Sequence, residues 1–132
     1  MTADDTTSAA PQLTVTTVNI GAPDPAALAH FYVDLLGWQI GREEPGYVII
    51  RNPAGGLALS FQQEEHHVPP VWPAEPGDQQ MMMHLEIRAE DLDSAVAHAL
   101  KCGAVLADFQ PQQDVRVCLD PAGHPFCLWV AT

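Results

Sequence analysis

The sequence predicts an α+β fold in which two βαβββ modules form a curved mixed sheet around a shared cleft. Its 132 residues suffice for one hydrophobic core and are too few for two conventional domains. One β-branched run, one capped helix and three short apolar runs follow each other twice along the chain. The turn NPAG at 52–55 returns as DPAG at 120–123. This internal repeat predicts two equivalent modules, each with one sheet face free to border a cleft.

The first module covers residues 13–62. LTVTTVNI at 13–20 is rich in β-branched residues and predicts the first strand. The helix begins after Asp24, a good N-cap, has Pro25 at its first position and ends at Gly37. Its apolar side chains recur at helical spacing and predict one buried face: Leu28, Phe31, Tyr32 and Leu35. Three short strands complete the module, at 38–41, 46–52 and 56–62.

The second module covers residues 81–131 and repeats this order. MMMHLEIR at 81–88 predicts its first strand, and its helix runs from the cap Asp91 to the stop Gly103. Three strands follow, at 104–110, 114–120 and 125–130.

Two segments lie outside the modules. Residues 1–12 are small and polar and predict a disordered tail. Residues 63–80 are rich in proline and long for a connection inside a compact domain, which indicates a lid or a crossover. We expect Trp72 and the prolines around it to cover the cleft.

The charge of the chain argues against polyanionic partners. Seventeen acidic residues against five basic ones give a formal net charge of -12, and the basic residues are scattered along the sequence. Nucleic acid and membrane surfaces are therefore not expected as partners. No stretch has the pattern of a secretion signal or a membrane span, so we expect a soluble, cytoplasmic protein whose three cysteines stay thiols.

Three motifs resemble those of a known family. FYVDLLGW at 31–38 ends the first helix, HLEIRAEDLD at 84–93 opens the second module, and DPAGHPFCLW at 120–129 closes it. Together with the paired βαβββ order, they resemble the vicinal oxygen chelate superfamily, which includes glyoxalase I, extradiol dioxygenases and bleomycin-resistance proteins. Within it, the chain is similar to the glyoxalase-like single-domain proteins of bacteria. The resemblance covers residues 13–131 and implies the glyoxalase/bleomycin-resistance/dioxygenase fold, a small-molecule ligand and a homodimer.

The resemblance also implies where a metal would be held. Enzymes of the superfamily bind a divalent ion with His, Gln or Glu side chains from the first and last strand of each module. The residues at those places here are Thr17, Leu59, His84 and Cys127. Leucine is not a ligand, neutral threonine is a poor one, and the two remaining side chains are too few for a zinc site. We therefore expect no metal cofactor.

A rebuilt zinc site is the alternative. A turn that pairs Val117 with Leu128 would put four donors on one wall of the cleft: His84, Glu86, Cys118 and Cys127. This set lacks the CxxC and HxxxH spacings that mark zinc sites. Cysteines that fill the floor of an apolar pocket are the simpler interpretation.

Strand alternation predicts which residues form the wall of the cleft. Eight of them are expected to bind the ligand: Thr17, Asn19, Leu59, Phe61, Arg88, Cys118, Cys127 and Trp129. Two more, His84 and Glu86, are the candidates for acid–base catalysis, because histidine titrates near neutrality and burial raises the pKa of a carboxyl group. For Phe61 and Trp129, hydrophobic core is an equally simple interpretation.

The remaining histidines are interpreted as surface residues. His30 and His98 lie on the polar sides of their helices, and His124 is expected in a turn that faces solvent. His66 and His67 lie in the connection, where they either close over a ligand or remain an exposed pair.

Three functions remain open from the sequence. A metal-independent binder that sequesters an aromatic or antibiotic-like compound is favoured. A metal-free enzyme that uses His84 and Glu86 for acid–base chemistry comes second. A glyoxalase-like lyase, isomerase or dioxygenase with a rebuilt metal site comes third.

Overall fold

The structure, a computed structural model, describes residues 10–131. The first module contains β1 (Thr17–Ala22), α1 (Pro25–Leu36), β2 (Gln39–Glu44), β3 (Tyr47–Arg51) and β4 (Ala58–Gln63). The second contains β5 (Leu85–Arg88), α2 (Leu92–Cys102), β6 (Val105–Leu106), β7 (Val115–Leu119) and β8 (Pro125–Trp129). Of the tail predicted to be disordered, residues 1–9 lie outside the described part of the chain.

The predicted α+β fold with two βαβββ modules is confirmed, and its strands form two four-stranded sheets. The strand orders are β1-β4-β3-β2 and β5-β8-β7-β6. In each sheet the first and last strands of the module run parallel, and the other pairs are antiparallel. Both β1 and β5 are therefore edge strands within the described residues.

Both helices begin and end where the sequence predicts. The Asp24 carboxylate accepts a hydrogen bond from the backbone N–H of Ala27 at 3.1 Å, and the Asp91 carboxylate accepts one from Ser94 at 2.9 Å. Each bond satisfies an N–H group that has no partner inside the helix. Gly37 ends α1 at φ 70°, a left-handed conformation that glycine adopts at little cost. Neither helix has the length and apolar character needed to cross a membrane.

Two strands of the second module, β5 and β6, are shorter than predicted by more than two residues. β5 begins at Leu85, so the methionines before it are not part of the sheet. β6 ends at Leu106, and the side chain of Gln110 then takes the place of strand pairing. Its amide oxygen accepts from the N–H of Val117, and its amide nitrogen donates to the Val117 carbonyl, both at 2.9 Å. A side chain thus satisfies backbone groups that a longer strand would have paired.

One hydrophobic core is shared by the two modules. The ring of Tyr32 on α1 lies 5.7 Å from that of Phe61 on β4 and 6.2 Å from that of Phe126 on β8. All three side chains are buried and belong to one hydrophobic cluster, which also contains residues of both sheets. Side-chain packing around α1, rather than strand pairing, therefore joins the two sheets.

A buried hydrogen bond strengthens this junction. The Tyr32 hydroxyl on α1 donates at 2.7 Å to Oδ2 of Asp120, in the turn between β7 and β8. Burial raises the pKa of Tyr32, and the negative charge of Asp120 and the hydrogen bond to it raise this pKa further. The phenol therefore stays protonated and acts as a donor at neutral pH.

The register of the first sheet places two predicted cleft residues in the core. Leu59 and Phe61 of β4 pair with Val18 and Ile20 of β1, and all four pack on the side of the helices. Leu59 and Phe61, which were predicted to line the cleft, are buried in the core at 4% and 0% exposure. Because successive strand residues point to opposite sides, Ser60 takes their place on the free face, the face turned away from the helices.

The register of the second sheet differs by one residue from the prediction. Val117 pairs with Cys127 rather than with Leu128, and Cys118 pairs with Phe126. Cys118 thus packs in the core, whereas Cys127 lies on the free face. A slip of one residue moves a side chain to the other face, so the four proposed zinc donors do not share one wall.

Removing the Tyr32 hydroxyl tests the junction between the modules. We expect Tyr32→Phe to lower the free energy of unfolding by about 1.5–3 kcal/mol, the usual range for a hydrogen bond to a charged group. Urea denaturation followed by circular dichroism measures this change. Tyr47→Phe, in β3, is the matched control and should change stability by less than about 0.5 kcal/mol. Equal effects of the two substitutions would contradict the assignment.

Candidate functional site

A cavity of about 740 Å³ lies where the two sheets meet, and we call it the inter-sheet cavity. It is bordered by the edge strand β1, by the stretch that leads into β5 and by the connection between the modules. The lining residues are 18–21, Tyr32, 63–68, Pro70, 79–85, His124 and Pro125. The segment predicted to be a lid or crossover thus forms part of the cavity wall.

Part of this wall is apolar and adaptable. Met81, Met82 and Met83 precede β5, and Val18 and Ile20 come from β1. Methionine side chains are unbranched and polarizable, so they can fit around ligands of different shape. Met82 and Met83 are 78% and 80% exposed, and a ligand that covers them would remove apolar surface from water.

The polar part of the wall is built around the turn between β7 and β8. Asp120 has a fully buried side chain whose Oδ1 accepts hydrogen bonds from the backbone N–H groups of Ala122 and His124, both at 3.0 Å. The Nδ1 atom of His124 lies 3.0 Å from both carboxylate oxygens. The buried carboxylate therefore holds the imidazole of His124 in a fixed orientation at the edge of the cavity.

A second imidazole packs on this turn from the connection. His67 lies with its ring 4.9 Å from the ring of His124, and its Nε2 atom donates to the carbonyl of Ala122 at 2.8 Å. Because a carbonyl oxygen only accepts, this bond fixes the proton of His67 on Nε2. The connection is thereby tied to the second module beside the cavity.

His84, the predicted acid–base residue, also lines the cavity. Its Nε2 atom lies 3.4 Å from Oε2 of Glu86, so the structure brings the two predicted catalytic residues together. The ring of Trp72 lies 4.9 Å from the ring of His84, and Phe109 packs on Trp72 at 5.3 Å. Glu86 itself is 68% exposed and lies outside the cavity lining.

The sequence profile of the family described as "Glyoxalase-like domain" matches residues 16–129. The chain belongs to this family, and thereby to the vicinal oxygen chelate superfamily. None of the curated proteins matches the chain.

Solved structures of similar fold support the assignment. A glyoxalase/bleomycin resistance protein/dioxygenase family enzyme from Burkholderia phytofirmans PsJN is 18% identical, with a TM-score of 0.71 over 91% of this chain and 100% of that one. A glyoxalase-related enzyme from Fulvimarina pelagi is 18% identical, with a TM-score of 0.65 over 91% and 89%. A glyoxalase/bleomycin resistance protein from Albidiferax ferrireducens T118 is 20% identical, with a TM-score of 0.60 over 89% and 98%. At these identities the likeness shows a shared fold.

Of the residues predicted to form the cleft wall of this glyoxalase-like protein, Asn19 and His84 line the inter-sheet cavity. The Asn19 amide donates to the Ser60 hydroxyl at 2.7 Å. Five other predicted residues lie on the free faces of the sheets, outside the cavity lining: Thr17, Glu86, Arg88, Cys127 and Trp129. The Arg88 guanidinium lies 5.8 Å from the centre of the Trp129 ring.

His124 lines the cavity, although it was not predicted from the sequence as a site residue. The expectation that it faces solvent is wrong, since its side chain is 21% exposed, bonded to Asp120 and part of the cavity lining. Tyr32 was predicted for the core alone, yet it also borders the cavity. The sequence did contain a signal for His124, namely an aspartate four residues earlier in the same tight turn. Such an aspartate can accept hydrogen bonds both from the backbone of the turn and from the histidine ring.

The side chains at the superfamily's metal positions do not fit a divalent ion. Within residues 10–131, no group of three or more His, Cys, Asp or Glu side chains is placed to hold a metal. Burial raises the pKa of Cys118 to about 11, and burial and the charge of Glu86 raise the pKa of Cys127. Both thiols are therefore protonated at neutral pH in the metal-free protein, and a metal bound there would have to displace these protons.

This mismatch predicts the metal content of the protein. Protein purified without chelator or affinity metal should contain far less than one zinc, iron or manganese per chain by elemental mass spectrometry. Added Zn²⁺ or Mn²⁺ should leave the thermal midpoint unchanged, because only a ligand of the folded state raises it. About one metal ion per chain, lost in Cys127→Ser, would establish a thiolate site and contradict this expectation.

Proposed function

We propose that this glyoxalase-like protein binds a small, largely apolar organic molecule in the inter-sheet cavity without a metal cofactor. The observation that carries the proposal is the cavity itself. Its volume of about 740 Å³ falls in the range of about 300–1,000 Å³ that is typical of small-molecule sites. The function that we propose for this cavity is sequestration of an aromatic or antibiotic-like compound.

The lining supports an aromatic ligand. Methionine side chains make favourable contacts with aromatic rings, and three of them lie side by side at 81–83. The rings of His67 and His124, 4.9 Å apart and tilted by 39°, add polar surface at the turn. An apolar wall with a few fixed polar groups is the usual composition of a small-molecule site.

The charge around the cavity selects against anions. Glu64 and Glu65 line it, Asp120 lies buried behind it, and the whole chain carries a formal charge of -12. A negatively charged ligand would be repelled on approach. The proposed ligand is therefore neutral or cationic.

The homodimer expected from the resemblance stays a prediction, which light scattering on the purified protein tests.

A charge placed among the methionines tests the proposal. We expect the wild-type chain to bind the neutral aromatic probe 2-methoxynaphthalene and Met82→Glu to weaken this binding about tenfold, which corresponds to about 1.4 kcal/mol. Probe fluorescence measures the dissociation constant. Val105→Glu is the matched control, because Val105 is also an exposed apolar residue but lies in β6, outside the cavity lining. Absence of wild-type binding, or equal weakening by both substitutions, would contradict the proposal.

The contact between His84 and Glu86 favours a second candidate, a metal-free enzyme. A carboxylate 3.4 Å from the imidazole can orient it for proton transfer, and a histidine within reach of the substrate can act as acid or base. Because His84 lines the same cavity, the ligand that the cavity binds would be the substrate.

His84→Ala separates this candidate from simple binding. If His84 transfers a proton, the substitution should lower turnover of a compound bound by the wild-type chain about 10²–10⁴-fold while leaving its dissociation constant nearly unchanged. His98→Ala, an exposed histidine on α2, serves as control. Parallel loss of binding and turnover would instead indicate a positioning role, and unchanged turnover would rule out His84 as the base.

A further inference from the structure

We propose that Nε2 of His124 is the hydrogen-bond acceptor for a hydroxyl group on the ligand, of the phenol or enol class. This inference rests on the proposed function, since it names the chemical group by which the cavity recognises its ligand. The arrangement that carries it is the buried Asp120 carboxylate bonded to the imidazole of a residue that lines the cavity.

The hydrogen bonds around Asp120 determine which nitrogen of His124 carries the proton. The two carboxylate oxygens of Asp120 accept hydrogen bonds from Tyr32 Oη and from the backbone N–H groups of Ala122 and His124. Both oxygens also lie next to Nδ1 of His124. A carboxylate that receives this many donors acts only as an acceptor. The proton of neutral His124 is therefore on Nδ1, and Nε2 carries a free lone pair.

The free lone pair points away from the Asp120 carboxylate. His124 lines the inter-sheet cavity, whereas the Asp120 side chain against its Nδ1 edge is fully buried. Nε2 lies on the ring edge opposite to that bond. Among the described residues, no hydrogen-bond partner of Nε2 is present, so a ligand in the cavity can supply the donor.

Asp120 also holds the His124 ring more firmly than the neighbouring His67 ring is held. Hydrogen bonds to an ionised carboxylate are shorter and stronger than those between neutral groups. His67 also has one nitrogen without a proton, Nδ1, but its Nε2 is bonded to a neutral carbonyl. The structure therefore assigns the hydroxyl to His124 rather than to His67.

The rest of the lining narrows the class of donor. Glu64, Glu65 and the charge of Asp120 disfavour a carboxylate or phosphate at this position. The methionines at 81–83 require that the body of the ligand be apolar. A neutral hydroxyl attached to a flat unsaturated ring or chain meets both conditions.

Two probes that share a ring system, one with this donor and one with it methylated, test the proposal on the full chain. 2-Naphthol carries the hydroxyl, and 2-methoxynaphthalene has the same ring system without the donor. We expect the wild-type chain to bind 2-naphthol about five- to tenfold more tightly, the effect of one net hydrogen bond. In His124→Asn this ratio should fall to about one, because asparagine can still donate to Asp120 and has no atom at the position of Nε2. In His30→Asn, a matched change on the exposed surface of α1, the ratio should persist.

A second measurement needs no substitution. The ring ¹⁵N resonance of Nε2 of His124 in the wild-type protein should shift on addition of 2-naphthol and stay nearly unchanged with 2-methoxynaphthalene. Equal affinity of the wild-type chain for both probes would overturn the assignment and leave the proposed function standing. A ratio that survives in His124→Asn but is lost in His67→Gln would also overturn it and move the acceptor to His67. If neither probe binds, the proposed function fails and this inference fails with it.

Discussion

The Asp120 carboxylate is the group on which both the junction of the modules and the candidate site depend. Its charge is buried, and a buried charge is tolerated only when hydrogen bonds replace the lost water. Those bonds come from three sources: the hydroxyl of Tyr32 on α1, the backbone of its own turn and the ring of His124. One side chain thus links the first module to the second and holds an imidazole at the cavity.

The cavity follows from the way the two modules are joined. Since β1 and β5 are both edge strands, the sheets meet through side chains of the shared core rather than through a hydrogen-bond ladder. Around that junction, the connection and the methionines before β5 close a space large enough for a small molecule. The shared fold of the family explains the two sheets. The chemistry of the cavity depends on the residues of this chain and their contacts. At 18–20% identity, the solved structures show the fold but not these contacts.

The metal positions of the superfamily carry different side chains in this chain. In the first sheet, the residues near the superfamily's two metal-ligand positions are Thr17, Asn19 and Ser60. At the second sheet they are His84 and Cys127, whose thiol is protonated. These donors do not make a divalent site. The polar groups that do converge, His124 and its carboxylate, suit recognition of a neutral donor instead.

Local signals in the sequence determined the fold class, both helices and the two-module order, because capping aspartates, stop glycines and β-branched runs act over a few residues. The faces of the strands were decided by the tertiary structure. A shift of one residue in the pairing of β7 with β8 sent Cys118 into the core, and the parallel pairing of β1 with β4 did the same to Leu59. The composition of the site also depends on the tertiary structure. Tyr32, His67 and His124 are far apart in sequence, and they come together only when the turn at Asp120 packs against α1. Alternation along one strand carries no information about such contacts, because they depend on how separate elements pack.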